Sequence, residues 1–421
     1  MTSLPPQPPL GVTPAALAEP TVPVRRGWVA RITVASIGLW AGFFGPIQVL
    51  LAQQAQQVAP GHKEVVFGLV TGLGAAVSVV CNPLFGAISD RTTLRAGRRT
   101  PWVVLGGLTG AAALVILAGS DSVAGMVVGW CLAQAGLNAM LAAITAAVPD
   151  QVPERQRGYV GGWVAVAQTL GIVGGVAIAD ATGAVSTGYL VTAVAVVVLA
   201  VPFVLRSGDV ALAAKDRESF DVRRFLLGFW VSPRRHPDFG WAWVTRFAVN
   251  LGNALGTLYL FFYLQDAVGY HDPEGGVLVL TVIYAATLVA TTVLGGIWSD
   301  RAGRRKVFVI WSGVIAGSAA LVLAFAQTWP GAIAGAVILG AGYGVYTAVD
   351  FALITEVLPA AAARAKDLGV INIANALPQV LAPFVATLLV ARFGGYVSLY
   401  LASCAVCLLG SYLVRYIRSV A

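Results

Sequence analysis

The chain has 421 residues, of which 58% are hydrophobic and only 11% are charged, and its mean hydropathy is +0.80. Soluble domains carry about 25% charged residues, so this composition excludes a water-soluble globular protein as well as a disordered one. We therefore predict an all-α membrane protein whose main partner is the lipid bilayer.

The positive charges are concentrated on one side of the predicted membrane spans. The formal net charge is +8, and all 27 Lys and Arg residues except Lys63, Arg246 and Arg392 fall on the side of the two termini. Because Lys and Arg gather in cytoplasmic loops, this pattern predicts a multi-pass protein of the plasma (inner) membrane with both termini cytoplasmic. It also accounts for the basic charge without a nucleic-acid partner.

A membrane-spanning helix needs about 20 apolar residues, and the sequence contains twelve such runs. The predicted helices, numbered 1 to 12 in chain order, are 27–52, 65–89, 101–119, 123–148, 158–179, 185–205, 239–264, 277–298, 307–326, 331–355, 368–391 and 395–416.

These runs divide the chain into four parts. We predict a disordered cytoplasmic tail, 1–24, a first six-helix bundle, 25–206, a cytoplasmic linker, 207–238, and a second six-helix bundle, 239–421. Aromatic residues alternate with charges inside the linker, so a short helix lying on the membrane surface is an alternative to a plain linker there.

The sequence offers no motif for a metal or an organic cofactor. The four cysteines lie inside apolar runs without a neighbouring His or carboxylate, so we interpret them as small packing residues. We also find no nucleophile–base set and no phosphate-binding loop, and we predict that the protein is not an enzyme and acts as a monomer. The cysteines are Cys81, Cys131, Cys404 and Cys407.

The two halves of the chain repeat each other. Predicted helix 2 ends at Gly86-Ala-Ile-Ser-Asp-Arg91 and predicted helix 8 ends at Gly296-Ile-Trp-Ser-Asp-Arg301, an offset of 210 residues. Both segments continue to a Gly-Arg-Arg sequence. Two parallel six-helix repeats are typical of a transporter whose site lies between the halves near the middle of the membrane.

These paired loops resemble those of the major facilitator superfamily. The longer first loop, from Gly86 to Trp102, and the segment from Lys366 to Gln379 are similar to the sugar branches of that superfamily, the glycoside–pentoside–hexuronide and sucrose-type symporters. The resemblance implies two pseudo-symmetric bundles with the major facilitator fold, and transport by alternating access.

Polar side chains are costly inside hydrocarbon and usually face a cavity or another helix. In predicted helices 4, 7, 10 and 11 they recur at spacings of three and four residues, which places each set on one helix face. Predicted helices 3, 6, 9 and 12 lack such residues, so we expect those four to face lipid. For any single amide, a hydrogen bond between helices is the alternative to a cavity. The predicted pathway residues are Trp40, Gln48, Gln134, Asn138, Gln168, Arg246, Asn250, Asn253, Tyr343, Tyr346, Asp350, Asn372, Asn375 and Gln379.

Asp350 is the one carboxylate predicted to lie well inside a span. An ionised carboxylate at that depth costs about 2.5–3.5 kcal/mol on insertion scales, so we predict that Asp350 takes up and releases the coupling proton. A structural ion pair is the alternative. Arg246 could pair with Asp350, bind the solute, or extend its head group toward the membrane surface.

The repeated loops also predict a cytoplasmic gate. We expect Asp90 to face the beginning of predicted helix 11, Asp300 to face that of predicted helix 5, and the glycines to allow close helix contact. Such contacts exist only when the cytoplasmic side is closed. The predicted gate residues are Gly86, Asp90, Arg91, Arg98, Arg99, Gly296, Asp300, Arg301, Arg304 and Arg305.

Together these features predict a secondary active transporter. Symport of a sugar or glycoside-like solute, coupled to a proton or another cation, is the leading interpretation. Proton-driven efflux of drug-like or metabolic compounds is the alternative, because aromatic and amide side chains suit either ligand.

Overall fold

The computed structural model describes residues 18–217, 234, 236–302, 305–357 and 364–418, without the side chains of residues 300, 351–357 and 364–372. In this part of the chain twelve helices are long and apolar enough to cross a membrane, so the all-α fold class is confirmed. The first six are α1 Arg26–Val58, α2 Lys63–Asp90, α3 Thr100–Ala118, α4 Val123–Gln151, α5 Glu154–Thr182 and α6 Val185–Leu205. The second six are α7 Pro237–Val268, α8 Pro273–Ala302, α9 Arg305–Phe325, α10 Trp329–Val357, α11 Arg364–Arg392 and α12 Gly395–Leu413.

Each predicted helix corresponds to one observed helix, and several observed helices are longer. α5 and α11 each begin four residues before their predicted starts, because polar residues continue a helix beyond the hydrocarbon layer. The possible surface helix within the linker falls on residues 218–233, which lie outside the described residues. An even number of spans puts the start of α1 and the end of α12 on one side, here called the terminal face; the other side is the far face.

Helix packing follows the repeat. In the first half α1 packs against α5 and α6, α2 against α4, and α3 against α4 and α6. The second half has the same pairs six helices later: α7 with α11 and α12, α8 with α10, and α9 with α10 and α12. The main packing between the halves is α2 with α11 and its counterpart α5 with α8. The two bundles are therefore pseudo-symmetric in their contacts as well as in their sequence.

Close packing within a half depends on small residues, because lipid gives helices little hydrophobic reason to associate. A Cβ atom on Gly106 of α3 would lie 2.6 Å from the carbonyl oxygen of Gly136 on α4. Large apolar side chains are exposed on α2, α5 and α8, and also on α3, α6, α9 and α12, the four helices expected to face lipid. Examples are Leu105, Val194, Trp311 and Leu409.

Two helices are irregular at corresponding places. α1 contains a π-helical segment at Pro46–Leu50, and α7 leaves α-helical geometry after Thr257 and ends in a π-helical segment at Tyr263–Val268. The far-face ends of α1 and α7 thus depart from α-helical geometry at corresponding places. Such π-segments often accompany functional sites.

The first residues after α6 pack against the first half. Asp209 Oδ2 accepts hydrogen bonds from the backbone N–H groups of Arg99, at 2.6 Å, and Thr100, at 2.8 Å, and so caps the beginning of α3. The carbonyl of Ser207 accepts a hydrogen bond of 2.9 Å from the indole of Trp28 on α1. Leu212 is buried. We call residues 207–212 the docked segment.

The described part of the predicted tail also has contacts. The backbone N–H of Val24 donates to the side-chain oxygen of Gln156 at 2.9 Å, and the amide of Gln156 donates back to the Val24 carbonyl at 3.0 Å. Residues close to α1 are therefore held against the beginning of α5.

The cap formed by Asp209 gives a stability prediction. Replacing Asp209 with Ala leaves two N–H groups of α3 without their acceptor, which typically costs about 0.5–2 kcal/mol. We expect a lower midpoint of thermal unfolding for the purified protein in detergent. Asp216→Ala, seven residues later in the chain and without a side-chain hydrogen bond to a described residue, is the matched control. Equal midpoints for the two variants would contradict the cap.

Candidate substrate pathway and gates

One ion pair joins α7 to α10 in the second half. Nη1 of Arg246 lies 2.5 Å from Oδ2 of Asp350, and their side chains are 15% and 12% exposed. The hydroxyl of Tyr346, one turn before Asp350, donates a hydrogen bond of 2.7 Å to Oδ1 of the same carboxylate. Both oxygens of ionised Asp350 therefore have a partner. The sequence predicts that Arg246 pairs with Asp350, binds the solute, or extends toward the membrane surface. In the structure it pairs with Asp350.

The same arginine links this pair to α11. Its Nε donates to Oδ1 of Asn375 at 2.6 Å, and the amide of Asn250 donates to the same oxygen at 3.1 Å. Tyr343 on α10 donates to Oδ1 of Asn250 at 2.8 Å. Six residues predicted as pathway residues thus form one network across α7, α10 and α11, which we call the central network: Arg246, Asn250, Tyr343, Tyr346, Asp350 and Asn375.

Asn253 lies one turn further along α7 and has a partner that the sequence did not single out. Its Oδ1 accepts a hydrogen bond of 3.1 Å from the hydroxyl of Tyr284 on α8. Tyr284 stands alone among apolar neighbours in the sequence, so no spacing pattern marked it. In the fold it extends the polar contacts of α7 to a fourth helix.

The predicted amides of the first half form a separate cluster. Oδ1 of Asn138 on α4 accepts hydrogen bonds from Ser78, at 3.1 Å, and from Asn82, at 3.3 Å, both on α2. The amide of Asn138 donates to the side chain of Gln134 at 3.1 Å. These groups join α2 to α4 by neutral hydrogen bonds, whereas the ion pair of the second half joins α7 to α10.

The remaining predicted pathway residues are not drawn into either cluster. Gln48 and Gln168 are half-buried and Gln379 is exposed, and none has a side-chain hydrogen bond to a described residue. Trp40 packs against Phe43 and Phe44. The side chain of Asn372 lies outside the described part.

At the terminal face of the first half, two arginines and two carboxylates form a charged cluster. Arg99 contacts Asp90 at 2.6 Å and Asp150 at 2.7 Å, and Arg98 contacts Asp150 at 2.9 Å. Burial opposes the charge of Arg99, but the hydrogen bonds and negative charges of Asp150 and Asp90 outweigh it, so the pKa of Arg99 lies above its ordinary value. Asp150 is a member of this cluster that the sequence did not single out.

The contacts described for Asp90, Arg98 and Arg99 lie within the first half. Asp90 pairs with Arg99 of its own half, and Arg91 donates to the carbonyl of Ala87 on its own helix at 2.7 Å. No described atom lies within 4 Å of the Cβ position of Gly86 or Gly296. The side chains that the expected gate contacts need, at the beginning of α11 and at Asp300, lie outside the described part of the chain.

The second copy of the predicted gate is only partly visible. Arg301 is exposed at the end of α8 and Arg305 begins α9. The side chain of Asp300, and Arg304 as a whole, lie outside the described part of the chain.

At the far face the halves are joined by two polar contacts. Lys63, at the start of α2, lies 2.6 Å from Asp266, near the end of α7. Gln53, near the end of α1, donates to Glu274, at the start of α8, at 2.5 Å. The two contacts are related by the repeat, since each links the end of α1 or α7 to the start of α8 or α2 in the other half. We call these four residues the far-face latch.

Tight helix packing closes the same face. A Cβ atom on Gly68 of α2 would collide with Oγ1 of Thr387 on α11. The hydroxyl of Tyr259 on α7 bonds to that Thr387 oxygen at 2.7 Å and to the carbonyl of Glu64 on α2 at 3.2 Å. The halves are therefore in contact at the far face, whereas at the terminal face no described atom of the opposite half lies within 4 Å of a Cβ on Gly86 or Gly296.

The latch gives a prediction about conformation. Asp266→Asn removes a partly exposed ion pair worth about 0.2–1 kcal/mol, so it should raise the far-face-open population by about two- to fivefold. We would measure the rate at which an impermeant thiol reagent, added to the far face of sealed vesicles, labels an Asn253→Cys variant lacking the four native cysteines.

The exchanged pair Lys63→Asp with Asp266→Lys is the matched control, because it restores opposite charges across the same gap. We expect its labelling rate to return toward that of the parent. If Asp266→Asn leaves the labelling rate unchanged, the latch does not hold the far face closed.

The sequence matches the Major Facilitator Superfamily over residues 32–282 and 270–420. It is 24% identical over 392 residues to the ectoine/proline transporter ProP of Corynebacterium glutamicum, an alignment that covers 84% of this chain and 75% of the relative. Two solved structures share the fold. A POT family transporter in complex with a thioalcohol-conjugated peptide has a TM-score of 0.75 at 13% identity, covering 93% of this chain and 95% of that one.

The second solved structure is a variant of the nucleoside transporter NupG, with a TM-score of 0.73 at 11% identity, covering 93% of this chain and 99% of the other. The family match spans nearly all of the described helices, in both halves. The chain therefore belongs to the major facilitator superfamily and is a membrane transporter of that type.

Proposed function

We propose that this transporter couples the movement of a small polar solute to that of a proton, with Asp350 as the proton site. The observation that carries the proposal is the Arg246–Asp350 ion pair, which lies inside the membrane-spanning region. Together with Tyr346 and Asn375, the pair joins α7, α10 and α11. Buried ionisable residues in membrane transporters mark substrate and ion pathways.

Protonation of Asp350 would change the balance of forces in the central network. The ionised carboxylate accepts from Arg246 and Tyr346, whereas the protonated acid loses its attraction to the guanidinium. Removing one member of a buried pair is costly, on the order of 3–5 kcal/mol, because the other charge remains without a partner. A proton at this position can therefore drive rearrangement of α7, α10 and α11 relative to one another.

Alternating access supplies the second part of the proposal. The halves meet at the far face through the latch, and no described atom of the opposite half approaches Gly86 or Gly296 at the terminal face. In the opposite conformation the latch would open, and the terminal-face cluster around Asp90 and Arg99 would meet the other half. Rocking of two repeats about a central site is the general mode of such transporters.

Two solute classes are supported by different observations. The loop motifs favour a sugar or glycoside-like solute, as predicted from the sequence, while the relative ProP is named as an ectoine/proline transporter. Uptake by symport remains our leading proposal over efflux. We place the protein in the plasma membrane as a monomer, with the terminal face cytoplasmic because that face carries most of the Lys and Arg residues.

The proton-site proposal predicts a specific loss. Asp350→Asn cannot exchange a proton, so solute accumulation driven by an imposed pH gradient should be abolished, while exchange of labelled for unlabelled solute persists. Both are measured by uptake into proteoliposomes, first screening sugars and amino-acid-like solutes with the parent protein. Asp121→Asn, an exposed carboxylate between α3 and α4, is the control and should accumulate normally. Undiminished gradient-driven uptake by Asp350→Asn would refute the assignment.

A further inference from the structure

The central network carries balanced charge. In the described part of the chain, Arg246 and Asp350 are the ionisable side chains that lie deep in the second half: nine residues after the start of α7 and seven before the end of α10. At a rise of about 1.5 Å per residue, both lie on the order of 10–14 Å from the helix ends at the terminal face. One positive and one negative charge at equal depth cancel each other.

Proton binding disturbs that balance. If Asp350 becomes neutral, Arg246 keeps its charge, because a guanidinium stays protonated in proteins. Among the described residues, the other groups that contact this network cannot neutralise it: Asn375 and Asn250 are amides, and Tyr343 and Tyr346 are phenols. The proton-loaded network therefore contains one buried cation without a counter-ion.

We infer that the cotransported solute carries a carboxylate that takes the place of Asp350 on Arg246. This inference rests on the proposed function and names its substrate class. A bound carboxylate restores charge balance, so proton and solute bind favourably together, whereas each alone leaves an uncompensated charge in the low-dielectric seam. Coupling then arises from electrostatics at a single guanidinium.

The geometry of Arg246 suits this role. Nη1 of Arg246 faces Asp350, and Nε donates to Asn375. The bond to Asn375 holds the plane of the guanidinium, whereas protonation of Asp350 releases the bond between Nη1 and Asp350. A guanidinium presents its N–H groups in a rigid fork that matches the two oxygens of a carboxylate. Asn375 therefore acts as a positioning residue for Arg246.

A neutral sugar would not meet the same requirement. Its hydroxyls can hydrogen-bond to the amides and phenols of the central network, but they bring no negative charge to Arg246. The proton-loaded state would then keep an unpaired cation in the seam, which is a costly arrangement for a buried charge. The balance of charge thus favours a small carboxylate over a sugar.

The test measures binding and needs no transport. Purified protein in detergent is titrated at pH 8 with lactate and lactamide, with proline and prolinamide, and with sucrose, and binding is read from thermal unfolding and from calorimetry. We expect at least one carboxylate to bind and its amide not to bind. Asp350→Asn, which mimics the protonated acid, should bind that carboxylate 5- to 150-fold more tightly, the usual range of coupling between linked sites, and without dependence on pH.

Arg246 provides the matched comparison. Arg246→Gln should lose the carboxylate, and Arg246→Lys, which keeps the charge without the fork, should bind it more weakly than the parent; the two together keep the test valid if one variant folds poorly. Sucrose binding that Arg246→Gln leaves intact, or carboxylate binding that Asp350→Asn weakens, would overturn the inference. Either outcome is separate from the accumulation assay, which alone tests whether Asp350 is the proton site.

Discussion

The central constraint on this molecule is the cost of holding charge inside a membrane. Arg246 and Asp350 reduce that cost because they are within contact distance of each other and because Tyr346 and Asn375 hydrogen-bond to Oδ1 of Asp350 and Nε of Arg246. α7, α10 and α11 must therefore keep these groups aligned, and any event that changes the charge of one partner acts on all three helices. The Arg246–Asp350 pair is therefore both a structural contact and a switch, since a buried ion pair is stable only while both members are ionised.

The two halves use the same packing for different purposes. Contacts between α1 and α5, or between α2 and α4, recur six helices later, but the polar groups differ: Ser78, Asn82 and Asn138 join α2 to α4 by neutral hydrogen bonds, whereas the ion pair joins α7 to α10, the counterparts of α1 and α4. Neutral amide bonds in membranes contribute modestly and do not respond to protons. The repeat thus supplies a symmetric scaffold, and the departure from symmetry supplies the chemistry.

Much of this arrangement could be predicted from the sequence, for physical reasons. Hydrocarbon thickness fixes helix length, so the twelve spans could be predicted from the sequence. Helical periodicity placed Arg246, Asn250 and Asn375 on inward faces. The far-face latch was not readable, because Lys63 and Asp266 stand at helix ends where charged residues are ordinary. The same applies to Asp209, whose role depends on contact with a helix start 110 residues earlier in the chain. The conformation was not readable either, since one sequence encodes both sides of the cycle.

The docked segment, residues 207–212, packs with the first half although it follows the last helix of that half. Ser207, Asp209 and Leu212 come after the last helix of the first bundle, yet they complete α3 and shield Trp28. If the protein were made as two coexpressed polypeptides, a first fragment that ends at Arg206 would lack Asp209, which caps the beginning of α3. A first fragment that ends beyond residue 217 would keep this cap. The first bundle keeps the cap of α3 only when it keeps the opening residues of the linker.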